Sequence, residues 1–115
     1  MSARQILFYG PHFQAFYDAQ TEKARRKIDF VLSLIAGVER VPEKFLKHIE
    51  GTKGLYEVRV KAGREAMRIF CFFDASGSLI LLNAFKKASA KTPAAEILRA
   101  LKIRNRYWEE TRKGM

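Results

Sequence analysis

The chain has 115 residues, enough for one domain with a real core and no structural staples. Apolar residues make up 48%, with nine Phe, which excludes a disordered tail, and no apolar run approaches the roughly 20 residues of a bilayer span. Lys and Arg number 22 against 12 Asp and Glu, a net charge of +10, and the single cysteine, Cys71, excludes an internal disulfide or a cysteine-based zinc site.

The positive excess is uneven. Residues 1–50 carry eight basic and six acidic side chains, residues 51–74 five and three, and residues 75–115 nine and three. A basic C-terminal third fits a polyanionic partner, whether nucleic acid, ribosome or acidic protein; the competing reading is a protein that is merely basic. The opening MSARQILFYG is too short, and too polar around its apolar part, for a signal peptide, so the expected compartment is the cytoplasm.

Residues 5–9 form a short apolar run closed by Gly10-Pro11, the pattern of a first or edge strand. Residues 12–19 set Phe13, Phe16 and Tyr17 at helical spacing. Residues 21–35 continue as a second helix, with Thr21 as N-cap, Gly37 as its end, and an apolar stripe of Ala24, Ile28, Val31, Leu32 and Ile35. Lys23, Arg25, Arg26 and Lys27 lie mostly off that stripe. The two helices form a hairpin or one bent helix. In residues 41–52, Pro42 suits a first helical turn and Phe45, Leu46 and Ile49 have helical spacing, which predicts a short helical turn followed by loop.

Residues 55–61 alternate, with Tyr56, Val58 and Val60 on one face and Glu57, Arg59 and Lys61 on the other. A turn at 62–65 leads into the β-rich residues 67–73, where Arg68 is the lone charge. Asp74-Ala75-Ser76-Gly77 is a hairpin turn before a third strand at 78–85. Three such runs with short turns predict an antiparallel meander. A last helix starts at Thr92-Pro93, with Thr92 as cap and Pro93 in the first helical position. Its inner stripe reads Ala94, Ile97, Leu98, Leu101 and Trp108; its outer, basic one reads Arg99, Lys102, Arg106 and Lys113.

Strand registers point to a candidate site. Pairing Phe73 with Ser78 sets Arg68 opposite Asn83 and Phe70 opposite Leu81, with Arg68, Asn83 and Phe85 on one face. Pairing Lys61 with Ala66 sets Arg59 opposite Arg68. Like charges directly opposite each other destabilise a sheet, so this pair calls for an acidic group or a phosphate. Glu57, on the face of Arg59, is one such group; a plain surface Glu–Arg pair is the competing reading. The segment 85–93, FKKASAKTP, adds Lys86, Lys87 and Lys91 beside a helix start with free backbone N–H groups, a reasonable phosphate site, against the plainer reading of a solvated basic turn. His12 and His48 read as structural or solvent-exposed. Cys71 reads as core.

The order GLYEVRV (54–60), MRIFCFF (67–73), turn, LILLNAFKKASAKTP (79–93) and basic helix resembles the RelE/HigB-like toxins of bacterial and phage toxin–antitoxin modules, most closely the HigB-type branch. The resemblance covers about the last 60 residues closely and the N-terminal helices loosely. It implies an α+β fold in which N-terminal helices pack on a small twisted antiparallel sheet followed by a basic C-terminal helix, as a single domain over residues 1–115. It also implies a ribosome-dependent, metal-independent mRNA endoribonuclease without a cofactor, held in check by a small helix-turn-helix antitoxin. By position, Arg59 and Arg68 match the family's basic residues on the first two meander strands. Lys86 or Lys87 matches the one after the third, Lys91 the lysine of "KTP", and Lys61 is a further match. Glu57 departs from RelE itself, which has a lysine there, and agrees with the HigB-type pattern.

Residue types allow the chemistry to be argued. Attack by a neighbouring 2′-hydroxyl needs a base, stabilisation of phosphorane charge, and a proton for the leaving 5′-oxygen. Arginines suit the second task, because they stay charged and grip phosphate oxygens in pairs. Lysine can serve the third. Glu57 is the carboxylate available as base; if it is only an ion-pair partner, catalysis rests on charge stabilisation and on positioning by the ribosome. Phe85 is placed to stack on a splayed base. The alternatives are a ParE-like toxin that binds DNA gyrase and a non-catalytic RNA-binding module.

Overall fold

The computed structural model describes the backbone of residues 3–113 and the side chains of residues 3–112. The first two residues of MSARQILFYG and the Lys113 side chain assigned to the outer stripe lie outside the described residues. The order is β1 (Ile6–Phe8), α1 (His12–Asp18), α2 (Glu22–Gly37), β2 (Leu46–His48), β3 (Tyr56–Ala62), β4 (Glu65–Phe73), β5 (Leu79–Lys87) and α3 (Ala94–Lys113). The fold is α+β, as the sequence implied. One five-stranded sheet runs β1-β5-β4-β3-β2. The meander β3-β4-β5 is antiparallel, β2 adds to it antiparallel, and β1 joins β5 in parallel, which makes the sheet mixed.

The helices form where caps and spacing dictate. The Thr21 hydroxyl accepts the Ala24 N–H at 3.2 Å and starts α2 as a helix separate from α1. Ala24, Ile28, Val31 and Ile35 follow at helical spacing and are buried, each such large side chain contributing about 1.5–3 kcal/mol. At the far end the Arg4 guanidinium donates to the carbonyls of Ile35, Val38 and Glu39, closing orphan acceptors of the last turn. Gly37 is the last helical residue, as expected, without a positive φ.

Both faces of the central strands are covered, so β4 and β5 read as nearly continuous apolar runs. One face carries Val58, Val60, Met67, Ile69, Cys71, Leu79 and Leu81 against α1 and α2. The other carries Leu55, Phe70, Phe72, Ile80 and Leu82 against Ala100 and Ile103 of α3. Cys71 is core, and its burial pushes the thiol well above the usual range.

Four expectations need correction. Pro42 does open a single turn, its carbonyl accepting from the Phe45 and Leu46 N–H groups, but residues 46–48 after it are a strand rather than loop, because the open edge of β3 supplies a ladder for them. Phe73 pairs with Leu79 rather than Ser78, and between Ile69 and Cys71 a β-bulge shifts the register again, so Arg68 lies opposite Phe85 rather than Asn83. Thr92 does not cap α3: the Pro93 carbonyl takes the first helical bonds, from Glu96 and Ile97. Leu98 and Trp108 are exposed, at 59% and 41%, while the inward face of α3 is Ile97, Ala100, Leu101, Ile103, Arg104 and Tyr107. Arg104 is buried by its stem, with its head donating to the Lys53 carbonyl at 2.7 Å and stacked on Trp108.

Candidate nucleic-acid interface

The site lies on the α3 face of the sheet, off the N-terminal end of that helix. Strand alternation points Glu57 and Arg59 to this face, and the β3–β4 register sets Arg59 directly opposite Arg68, as the turn-based reading had it. The bulge sets Phe85 opposite Arg68 and Lys87 opposite Ala66, on the same face. Lys47, opposite Glu57 on β2, completes the group.

Glu57 and Arg68 are both buried, at 6% and 7% exposure. Glu57 Oε1 lies 3.8 Å from the Nε of Arg59 and 3.8 Å from the Nε of Arg68. Its other oxygen accepts a hydrogen bond from the Thr92 hydroxyl at 3.3 Å. One carboxylate thus sits between two guanidiniums and is tied to the chain leading into α3, whose N-terminal dipole favours negative charge there. Distances of 3.8 Å attract but do not make hydrogen bonds. Arg68 donates from Nη1 to the Met67 carbonyl, while its Nε is buried without a hydrogen-bond partner among the described residues. Such a donor costs about 1–3 kcal/mol until an acceptor reaches it.

Cations outnumber anions around this point. Burial lowers the proton affinity of the Arg68 guanidinium; Glu57 raises it and Arg59 lowers it. Lys87 titrates below the ordinary lysine value of 10.5, through partial burial and then through the neighbouring charge of Arg68, with Glu57 opposing and Arg59 and Lys47 adding to the shift.

Of the other residues singled out from the sequence, Phe85 and Lys61 share this face and the rest lie away from it. Lys86 lies opposite Met67, on the α2 face, and pairs with Glu65 at 3.4 Å. Phe85 packs on Phe70, with ring centroids 5.5 Å apart, as part of the second core. Lys61 is exposed toward the outer end of β3, and Lys91 is exposed in the link before α3. His48 is exposed, facing the Thr52 carbonyl and the Tyr56 ring. Sequence reasoning missed Lys47 and the Thr92–Glu57 bond. Lys47 would have been found had residues 46–48 been read as a strand. Nothing local signals that Thr92 turns back to β3.

His12, the first residue of α1, does not belong to this site; it contacts α3 through Arg99. Its Nδ1 lies 3.4 Å from an Arg99 nitrogen, and burial, then Arg99 and Arg106, hold its pKa below 6.5. A histidine depressed in the folded state stabilises above its unfolded pKa, and that contribution is lost as pH falls through the folded value. Urea midpoints are therefore expected to drop on acidification below pH 6.5, with a smaller drop in His12→Gln. An equal drop in both proteins would assign the acid sensitivity elsewhere.

Residues 15–105 match the family described as phage-derived protein Gp49-like. The chain belongs to that family. A chain of the crystal structure of the archaeal RelE–RelB complex from Pyrococcus horikoshii OT3 is similar in structure, with a TM-score of 0.56 at 18% identity over 76% of this chain and 99% of that one. The likeness is one of fold, and the fold of this Gp49-like protein is that of the RelE-type toxins, as its three strand motifs implied. No curated protein matches the chain. Among the described residues of the Gp49-like protein, no helix is long and apolar enough to cross a membrane. No cluster of His, Cys, Asp and Glu side chains that could hold a metal ion occurs among them either.

Proposed function

We propose that this Gp49-like protein is the toxin of a toxin–antitoxin module and that it cleaves mRNA on the ribosome through its own side chains. The observation that carries the reading is the buried Arg68 guanidinium. Its Nε lacks an acceptor, it faces Arg59, and Lys87 stands close by. That arrangement fits a phosphodiester. Arg68 and Arg59 would hold the non-bridging oxygens and stabilise the phosphorane charge. Lys87, already disposed to release its proton, would protonate the leaving 5′-oxygen. Glu57 lies between the charges of Arg59 and Arg68 and accepts the Thr92 hydroxyl on its other oxygen, so it serves as the counter-ion that holds the arginines rather than as a free base. Activation of the 2′-hydroxyl is then left to positioning on the ribosome, and cleavage of free RNA would be slow. The GLYEVRV and KKASAKTP motifs favour the HigB-type branch, and action on the ribosome would place the protein in the cytoplasm. The structural relative comes from a RelE–RelB complex, which supports a protein antitoxin here; we expect a helix-turn-helix one.

The test is coupled translation with purified protein, with message ends mapped by primer extension. Discrete new 5′ ends with loss of translation are expected; gyrase poisoning with intact message would replace this reading with the ParE-like one. Lys87→Ala is expected to cut the single-turnover cleavage rate on ribosomes about 10²-fold. The wild-type rate should also fall on the alkaline side at a pH below 10.5, since the acid must be protonated to act. A Lys87→Ala protein with an unchanged pH profile would remove Lys87 from the proton transfer.

A further inference from the structure

The candidate site opens into a basic path that its chemistry does not use. Beyond Arg59 and Arg68 lies an open depression of about 720 Å³ lined among others by Lys27, Lys44, Phe45 and Lys61. A second one, of about 400 Å³, shares Lys27, Lys61 and Gly63 with it and continues to Lys23, Arg26 and Phe30 on α2. The two meet at the β3–β4 turn, where the Lys23 ammonium stands 3.8 Å from the position a Cβ on Gly63 would take. Arg26 is neutralised by Glu22 at 2.6 Å, whereas Lys23, Lys27, Lys44 and Lys61 have no ion pair among the described residues. The nearby Asp29 is engaged by the Tyr17 hydroxyl.

Aromatic rings alternate with these cations. Phe30 is 54% exposed on a helix otherwise anchored by its apolar stripe, with Lys27 Nζ 5.1 Å from its ring centre. Lys44 Nζ stands 4.9 Å from the centre of Phe45. Phe45 is half-buried against the core, but spaced ammonium groups beside the exposed Phe30 ring are what a single strand of nucleic acid needs: charges for successive phosphates and a π-face for an unstacked base. An acidic protein segment would use the lysines but has no need of an exposed ring with a cation over it.

We propose that single-stranded RNA flanking the cleaved phosphate runs from the Arg59–Arg68 site past the β3–β4 turn and across α2, with phosphates on Lys61, Lys27 and Lys23 and a base stacked on Phe30. This rests on the RNA reading of the site and adds to it where the flanking strand lies. Binding there is sequence-tolerant, so the path sets affinity and direction rather than cleavage preference.

Fluorescence anisotropy with 2′-O-methyl RNA, which the enzyme cannot cleave, tests this, using strands of about 12 and about 4 nucleotides. Lys23→Ala/Lys27→Ala and Phe30→Ala are each expected to weaken the longer strand roughly tenfold and to leave the shorter within about twofold. In the double variant the slope of log affinity against log salt should shrink by about 1.4, because two phosphates are no longer neutralised by the protein. Arg68→Ala should weaken both strands. Lys23 and Phe30 are exposed and Lys27 is half-buried, whereas Arg68 is buried, and circular dichroism checks that each variant is folded. If both α2 variants bind the longer strand like wild type while Arg68→Ala weakens both, the path is overturned and the RNA site stands. If wild type binds neither strand, the path is overturned, while the ribosome-dependent RNA reading is decided separately by primer extension.

Discussion

Arg68→Ala is expected to lower ribosome-dependent message cleavage by about 10²–10³-fold and to relieve growth inhibition on expression, with the fold retained. The size follows from what the side chain offers. It is buried on the sheet, already desolvated, and held by a single bond to the Met67 carbonyl. A phosphate oxygen entering the depression that Arg68 lines would meet a guanidinium already placed and largely desolvated, which is where preorganised charge is worth most. Arg68→Lys should rescue little, since one ammonium cannot reproduce the planar fork. The stability cost should be smaller than that of removing Glu57, because Arg59 remains as partner to the buried carboxylate and the repulsion between the arginines is relieved. A fully toxic Arg68→Ala protein would show that the buried guanidinium is a structural feature and that the chemistry, if any, lies elsewhere.

The second large effect falls on stability. Glu57→Ala removes the carboxylate between the two arginines, leaving Arg68 at 7% exposure opposite Arg59 without a counter-charge. Breaking a buried pair in this way costs on the order of 3 kcal/mol. Most of it comes from Arg68, because the Arg59 side chain, at 32% exposure, is partly screened by water. A lower urea midpoint with an unchanged m-value is expected. Added inorganic phosphate should stabilise Glu57→Ala more than wild type, by binding the folded state where the carboxylate was. The double variant Glu57→Ala/Arg68→Met should recover much of the loss while remaining inactive. A Glu57→Ala protein as stable as wild type would mean that the two arginines tolerate each other unaided.

Much of this arrangement is legible in the residues. The alternation of Tyr56, Glu57, Val58 and Arg59 fixes which side chains share a face, and a short turn at 62–65 leaves few registers, so the Arg59–Arg68 pair follows from local chemistry. Thr21 and the 24-28-31-35 spacing likewise determine α2 with little help from the rest of the chain. What escaped depends on distant partners. Residues 46–48 are too few to show a period, and they extend only because β3 offers an edge. Thr92 sits before a proline, as a capping residue would, and its turn toward Glu57 reflects where α3 docks. On α3 a small residue, Ala100, and a charged one, Arg104, face inward while Leu98 faces out, so apolarity alone misassigns the stripe.

The bulge in the β4–β5 ladder decides between two neighbours of identical chemistry. With Phe73 on Leu79 and no extra residue, Ala66 would lie opposite Lys86, and Lys87 would face the helices on the far side. The inserted residue exchanges these parities, sending Lys87 toward Arg68 and leaving Lys86 to Glu65. A tandem lysine at this point therefore buffers this chain against a one-residue length change in the hairpin. A one-residue insertion or deletion before Phe85 would hand the role from one lysine to the other instead of abolishing it, so that an ammonium still reaches the arginines.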